Sequence, residues 1–137
     1  MNRLTGYLKE AKIFYLATSS DNKPSIRPIG GKPGFDGNGF VELDGKLYFY
    51  TDNRKSMYKQ MVNNPYVAMT FLVSKGFVRV YAECVFDDNM DAKKAMLSEN
   101  QILTNLYNAN DDYFEVYYMK DVEAYLYSVG QEPVKLN

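Results

Sequence analysis

The clearest period in the chain is two. In FVRVYAECVF, Val78, Val80, Ala82, Cys84 and Phe86 alternate with Arg79, Tyr81 and Glu83, which predicts a strand with one small apolar face and one polar or aromatic face. Cys84 lies in the apolar file and reads as a core residue rather than a nucleophile. KIFYLATS (Lys12 to Ser19) predicts a strand apolar on both faces, DNKP a turn, and SIRPIG the returning strand of a hairpin. Pro28 marks an edge or a bulge in that second strand, because proline has no N–H to offer a neighbour. YVAMTFLV (Tyr66 to Val73) predicts a further strand. FEVYYMK and VEAYLYS predict two closing strands, the second alternating Val122, Ala124 and Leu126 against Glu123, Tyr125 and Tyr127.

Helical spacing interrupts this pattern. Leu4, Tyr7, Leu8 and Ala11 predict a short amphipathic helix over Arg3 to Ala11 despite Gly6. DDNMDAKKAML predicts another, with Asp88 or Asn89 as its cap and Ala92, Ala95 and Met96 on one side, and a second helical piece follows from Asn100 to Tyr107. LYFYTDNRKSMYKQM (Leu47 to Met61) changes from strand to helix halfway, and NNP (Asn63 to Pro65) ends the helix. Between Gly31 and Gly45 lie five of the nine glycines, predicting a long loop or a hairpin with ragged ends, closed by the Asp44-Gly45 pair. Sequential strands with few connecting helices argue for an antiparallel barrel or sandwich with peripheral helices, not a doubly wound parallel sheet.

Composition narrows the chemistry. A chain of 137 residues forms one domain, residues 1–137, and its formal charge of −1 supplies no global field for nucleic acid or an anionic membrane. The single cysteine has no intramolecular disulfide partner, no leader pattern opens the chain and no apolar run has membrane-spanning length, so a cytoplasmic location is expected. The absence of histidine removes Ser-His-Asp and Cys-His catalysis and histidine-ligated zinc, so any chemistry is expected to come from a cofactor. Thirteen tyrosines and eight phenylalanines offer stacking partners to a flat ligand, although aromatic residues more often fill cores.

Arg54 and Lys55 stand out against this background. They open a helix whose N-terminus already carries about half a positive charge, and one acid, Asp52, with Asn53 as the alternative, is available as N-cap. Either both side chains extend into water or a bound anion resolves the conflict.

FYLATSSDNKPSIRPIG, LYFYTDNRKSMYKQMVNNPYVAMTF and VRVYAECVFDD, in that order and spacing, resemble the pyridoxamine 5'-phosphate oxidase-like family of FMN-binding split barrels, and FEVYYMKDVEAYLYS resembles the end of its small bacterial members. The resemblance implies a mainly β fold, a six-stranded antiparallel split β-barrel with peripheral helices. It also implies a homodimer with FMN at the subunit interface. By the same resemblance Arg27 and Lys55 are the phosphate cations, Thr51 and Asn53 donate hydrogen bonds to it, Pro28, Ile29 and Gly30 lie along the isoalloxazine ring, and Tyr50 lines the same wall. Without it, Arg27 is an ion-pair partner of Glu42 or Glu83, and Tyr50 is a core residue. Arg79 is a salt-bridge partner or a second-subunit contact, and Tyr81, Tyr125 and Tyr127 are interface residues.

Two departures limit the function. The chain lacks the C-terminal Arg-x-His that holds substrate in true pyridoxamine phosphate oxidases and ends in GQEPVKLN, which argues against vitamin B6 synthesis. Its basic turn, NRKS, is displaced relative to the Ser-Arg-Lys run of the oxidases. The expected function is an FMN-dependent oxidoreductase acting on a small substrate, with the catalysis supplied by the flavin. The alternatives are a non-catalytic binder of flavin, deazaflavin or haem, and a dimeric split barrel that has lost its ligand.

Overall fold

The structure is a computed structural model that describes residues 2–30 and 36–137. The amphipathic start forms α1 (Asn2–Ala11), which buries Leu4 and Leu8. The hairpin of β1 (Ile13–Ser20) and β2 (Lys23–Gly30) follows, turning at Asp21 and Asn22, both with positive φ. Of the glycine-rich stretch, residues 31–35 lie outside the described residues. Its end is a short hairpin of β3 (Val41–Leu43) and β4 (Lys46–Asp52), joined by Asp44 and Gly45 at φ of 53° and 73°, the pair of left-handed residues that a tight hairpin turn requires. Next come α2 (Ser56–Asn63), β5 (Tyr66–Val73), β6 (Gly76–Phe86), α3 (Met90–Glu99) and a 3-10 turn over Gln101–Asn105. Of the two caps expected for α3, Asn89 serves, accepting from the Ala92 N–H. No helix among the described residues is long and apolar enough to cross a membrane.

One expectation changes at the end of the chain. FEVYYMK and VEAYLYS are not two strands but one, β7 (Phe114–Tyr127), followed by the short β8 (Val134–Lys135). The polar Lys120-Asp121 pair looks like a turn in sequence. Instead Asp121 takes φ of 52°, and β7 holds one more residue than β6 between the pairs Glu83↔Lys120 and Tyr81↔Glu123. This is a β-bulge, which bends a long strand without ending it.

All pairings are antiparallel, and the sheet runs β2-β1-β5-β6-β7-β4-β3, with β8 against β7. Six strands have seven or more residues, as a split barrel needs. Three strands separate β1 from β4 in this order, about 19 Å on a flat sheet at normal strand spacing. Yet the rings of Phe14 on β1 and Phe49 on β4 meet edge to face at 6.0 Å, so the sheet must curl around them. Val78, Val80, Ala82 and Cys84 join this core, as their alternation predicts. No pairing among the described residues connects β2 to β4 or β3, so the curl stops short of closure.

Tyr117 places an unmet polar group in the core. It is fully buried, stacked on Phe49 at 5.8 Å, and its hydroxyl has no hydrogen-bond partner among the described residues. Burial pushes the phenol well above its ordinary pKa. Because an unmet buried hydroxyl costs about 1–3 kcal/mol, Tyr117→Phe is expected to stabilise the fold by about 1 kcal/mol, read as a higher denaturation midpoint with unchanged slope.

Candidate functional site

The failure to close creates the site. Among the described residues β2 pairs only with β1, and β4 pairs with β3 only as far as Tyr48, so Phe49 to Asp52 present a second open edge. Between these edges, with the start of α2 as floor, lies a cleft of about 410 Å³ lined by Arg27 to Gly30, Phe49 to Thr51 and Lys55 to Met57, together with Gly39. Pro28 fits here because β2 is an edge strand. Gly30 fits because its φ is +87° and an added Cβ would lie 2.6 Å from the Phe14 ring and 2.9 Å from the Lys12 carbonyl oxygen.

Arg27 and Ile29 share the inward face of β2, opposite Leu16 and Phe14. The half-buried guanidinium donates to the Leu16 carbonyl at 3.2 Å, the Thr18 hydroxyl at 2.8 Å and the Gln60 side-chain oxygen at 2.7 Å. Every one of these acceptors is neutral. Neither Glu42 nor Glu83 pairs with it; Glu83 lies 3.9 Å from Lys120 instead. Burial lowers the Arg27 pKa, but a guanidinium stays protonated, so the cleft holds a positive charge with no acidic partner among the described residues.

The α2 terminus adds to that charge. The expected caps do not serve: Lys55 occupies the N-cap position in extended geometry and makes no side-chain capping bond. The first-turn N–H groups therefore have no side-chain cap, and Lys55 and Ser56 at this terminus line the same cleft. Asp52 is used elsewhere, accepting from the Arg54 backbone N–H and Nε at 2.9 Å and from its Nη2 at 2.7 Å. The Arg54 guanidinium also lies 3.8 Å above the Tyr113 ring. Of the two cations at the junction, Arg54 is thus neutralised and Lys55 is not.

Seven of the eight candidate residues, Arg27, Pro28, Ile29, Gly30, Tyr50, Thr51 and Lys55, line this one cleft. Asn53 does not. Its amide donates to the Asp112 carbonyl at 2.7 Å and to Glu115 at 2.9 Å, and its N–H to the Tyr113 carbonyl, which ties the turn to the start of β7. Tyr50 is half-buried against Phe114 with its pKa raised by burial, and so belongs to both the wall and the second core. Gly39, Phe49, Ser56 and Met57 were not legible as site residues. Gly39 reaches the cleft because its N–H donates at 2.7 Å to Asn100, a fully buried side chain 61 positions away. Arg79 forms no ion pair among the described residues and instead lies 4.9 Å from the Tyr127 ring.

The pyridoxamine 5'-phosphate oxidase family model matches residues 3–120. A NimC/NimA family protein from Clostridium acetobutylicum is similar over 99% of this chain and 90% of its own, at 33% identity and a TM-score of 0.88. The fold is also similar to HutZ, the haem storage protein of Vibrio cholerae, at 12% identity over 98% of this chain and 93% of that one, with a TM-score of 0.66. An F420 reductase is similar at 16% identity over 84% of this chain and 90% of its own, with a TM-score of 0.56. No sequence among curated proteins matches. With a family model spanning most of its length and a structure 33% identical over 99% of it, the chain belongs to the pyridoxamine 5'-phosphate oxidase-like family.

Proposed function

We propose that the cleft binds FMN by its phosphate and that the protein is a flavin-dependent oxidoreductase acting on a small organic substrate. The observation that carries this reading is Arg27: a half-buried guanidinium with only neutral partners, facing the same space as Lys55 and an uncapped helix N-terminus. That combination suits a phosphate, which accepts several charge-assisted hydrogen bonds at once. Behind it, Ile29, Phe49, Tyr50 and Met57 give the cleft apolar walls of the kind a planar ring requires, and its volume is in the normal range for a cofactor site. When bound, the flavin supplies the hydride and electron chemistry. The protein holds the phosphate, orients the ring against the edge of β2 and keeps water from its faces.

The same reading makes the protein a homodimer. The outer face of the sheet exposes Tyr15, Ile26, Tyr66, Leu72 and Tyr81 together, a surface suited to a second copy that would complete the cleft.

Visible absorption and fluorescence titration with FMN and riboflavin tests the proposal. FMN is expected to bind at least about tenfold more tightly, the smallest margin that a charge-assisted phosphate contact should give. Equal affinities would overturn it. The folds shared with a haem storage protein and an F420 reductase favour haem and deazaflavin as the other ligands to titrate, and a bound chromophore without turnover by NADH or NADPH would favour storage or sensing.

A further inference from the structure

Gln60 lies outside the cleft lining, on the second turn of α2, yet it is hydrogen-bonded to Arg27, which lines the cleft. Its side-chain oxygen accepts from Arg27 Nη2 at 2.7 Å and from the Thr18 hydroxyl at 2.7 Å, while Thr18, nearly fully buried, accepts from Arg27 Nη1 at 2.8 Å. Its amide nitrogen reaches the Ser25 hydroxyl at 3.4 Å. The orientation follows from chemistry: a guanidinium only donates, so the amide must turn its oxygen toward Arg27. One side chain therefore joins the cation on the edge of β2 to the helix that carries Lys55.

We infer that Gln60 is the specificity-determining residue for an anionic ligand, because it fixes the Arg27 guanidinium through a neutral acceptor and leaves its charge available. The inference rests on the phosphate reading above. A glutamate has the same length and would accept from the same two donors, so local geometry permits either residue. The difference is electrostatic. A carboxylate at this position would cancel Arg27 and repel a phosphate approaching from the cleft, turning an anion site into a neutral one.

Wild type, Gln60→Glu and Gln60→Met are titrated with FMN and riboflavin, and inorganic phosphate is tested by thermal shift, with far-UV circular dichroism to follow folding. Gln60→Glu is expected to fold and to lose at least about tenfold in FMN affinity, with riboflavin changed by less than about twofold, since only the phosphate meets the altered charge. Gln60→Met, which removes the acceptor without adding charge, is expected to lose less and to keep a preference for FMN. An unfolded Gln60→Glu variant, unchanged FMN affinity, or equal losses in the two variants would overturn the inference. If wild type shows no preference for FMN but phosphate raises its melting temperature and Gln60→Glu abolishes that response, the flavin reading falls and the role of Gln60 stands. If wild type responds to neither, both fall.

Discussion

Lys55→Glu is expected to reduce FMN affinity by about two to three orders of magnitude while raising, slightly, the stability of the protein without ligand. The two effects have opposite signs because they act on different partners. In the free protein, Lys55 is exposed at the N-cap of α2, where a cation opposes the helix dipole and no carboxylate pairs with it among the described residues. An acid there should gain about 0.3–1 kcal/mol from the dipole. In the proposed FMN complex, the substitution would remove one charge-assisted hydrogen bond to phosphate, about 1.5–3 kcal/mol, and add a like charge beside it. Titration of FMN and riboflavin against the variant, together with its melting temperature, separates these terms. Riboflavin affinity should change little. If FMN affinity is also unchanged, the phosphate does not bind at this turn, and the uncapped α2 terminus has another explanation.

Asp52→Ala is expected to destabilise the fold by about 2 kcal/mol, because two donors lose their acceptor in a largely buried place. One is the Arg54 backbone N–H at 2.9 Å, and the other is the Tyr107 hydroxyl at 3.1 Å, whose pKa is pushed up to about 12 by burial and by the Asp52 carboxylate. Arg54 itself is exposed and returns to water. For a domain of this size the loss corresponds to a fall in melting temperature on the order of 5–10 °C. The pH dependence gives a second readout. Hydrogen bonds from Arg54 hold the Asp52 carboxyl well below its ordinary pKa. A depressed folded pKa means that the stabilisation is present above the unfolded value, about 3.9, and is lost as pH falls from there through the folded value. Wild type should therefore lose this contribution only below about pH 4, and Asp52→Ala should lack that part of the acid transition. A variant as stable as wild type at neutral pH would show that the turn is held by the Arg54–Tyr113 stack and the Asn53 bonds alone.

These two residues show what a sequence makes visible and what it hides. Lys55 was legible because a cation opening a helix is a local conflict, visible in five consecutive letters. The role of Asp52 was not. Its proximity to the helix start suggested a cap, but its carboxylate turns away toward Arg54 and Tyr107, and Tyr107 is 55 positions distant. Asn53 was misplaced for the same reason, since its amide bonds Asp112 and Glu115 across the sheet. The merged β7 is a further case: Lys120 and Asp121 look like a turn until the continuous partner strand β6 is known.

The sequence alone determined most of the elements and their faces, an edge or bulge at Pro28 and the presence of a cation where an anion would be welcome. Each depends on a few neighbouring residues, through periodicity, missing donors or the field of one helix end. The tertiary structure decided which charges remain. Arg27 and Arg54 are both single cations in sequence, but Arg54 is neutralised by an acid two positions away, whereas Arg27 meets only the neutral oxygens of Leu16, Thr18 and Gln60. Whether a charge is cancelled depends on which side chains the curl of the sheet brings within a few ångströms of it, because hydrogen bonding and close Coulomb contact act over distances that sequence separation does not measure.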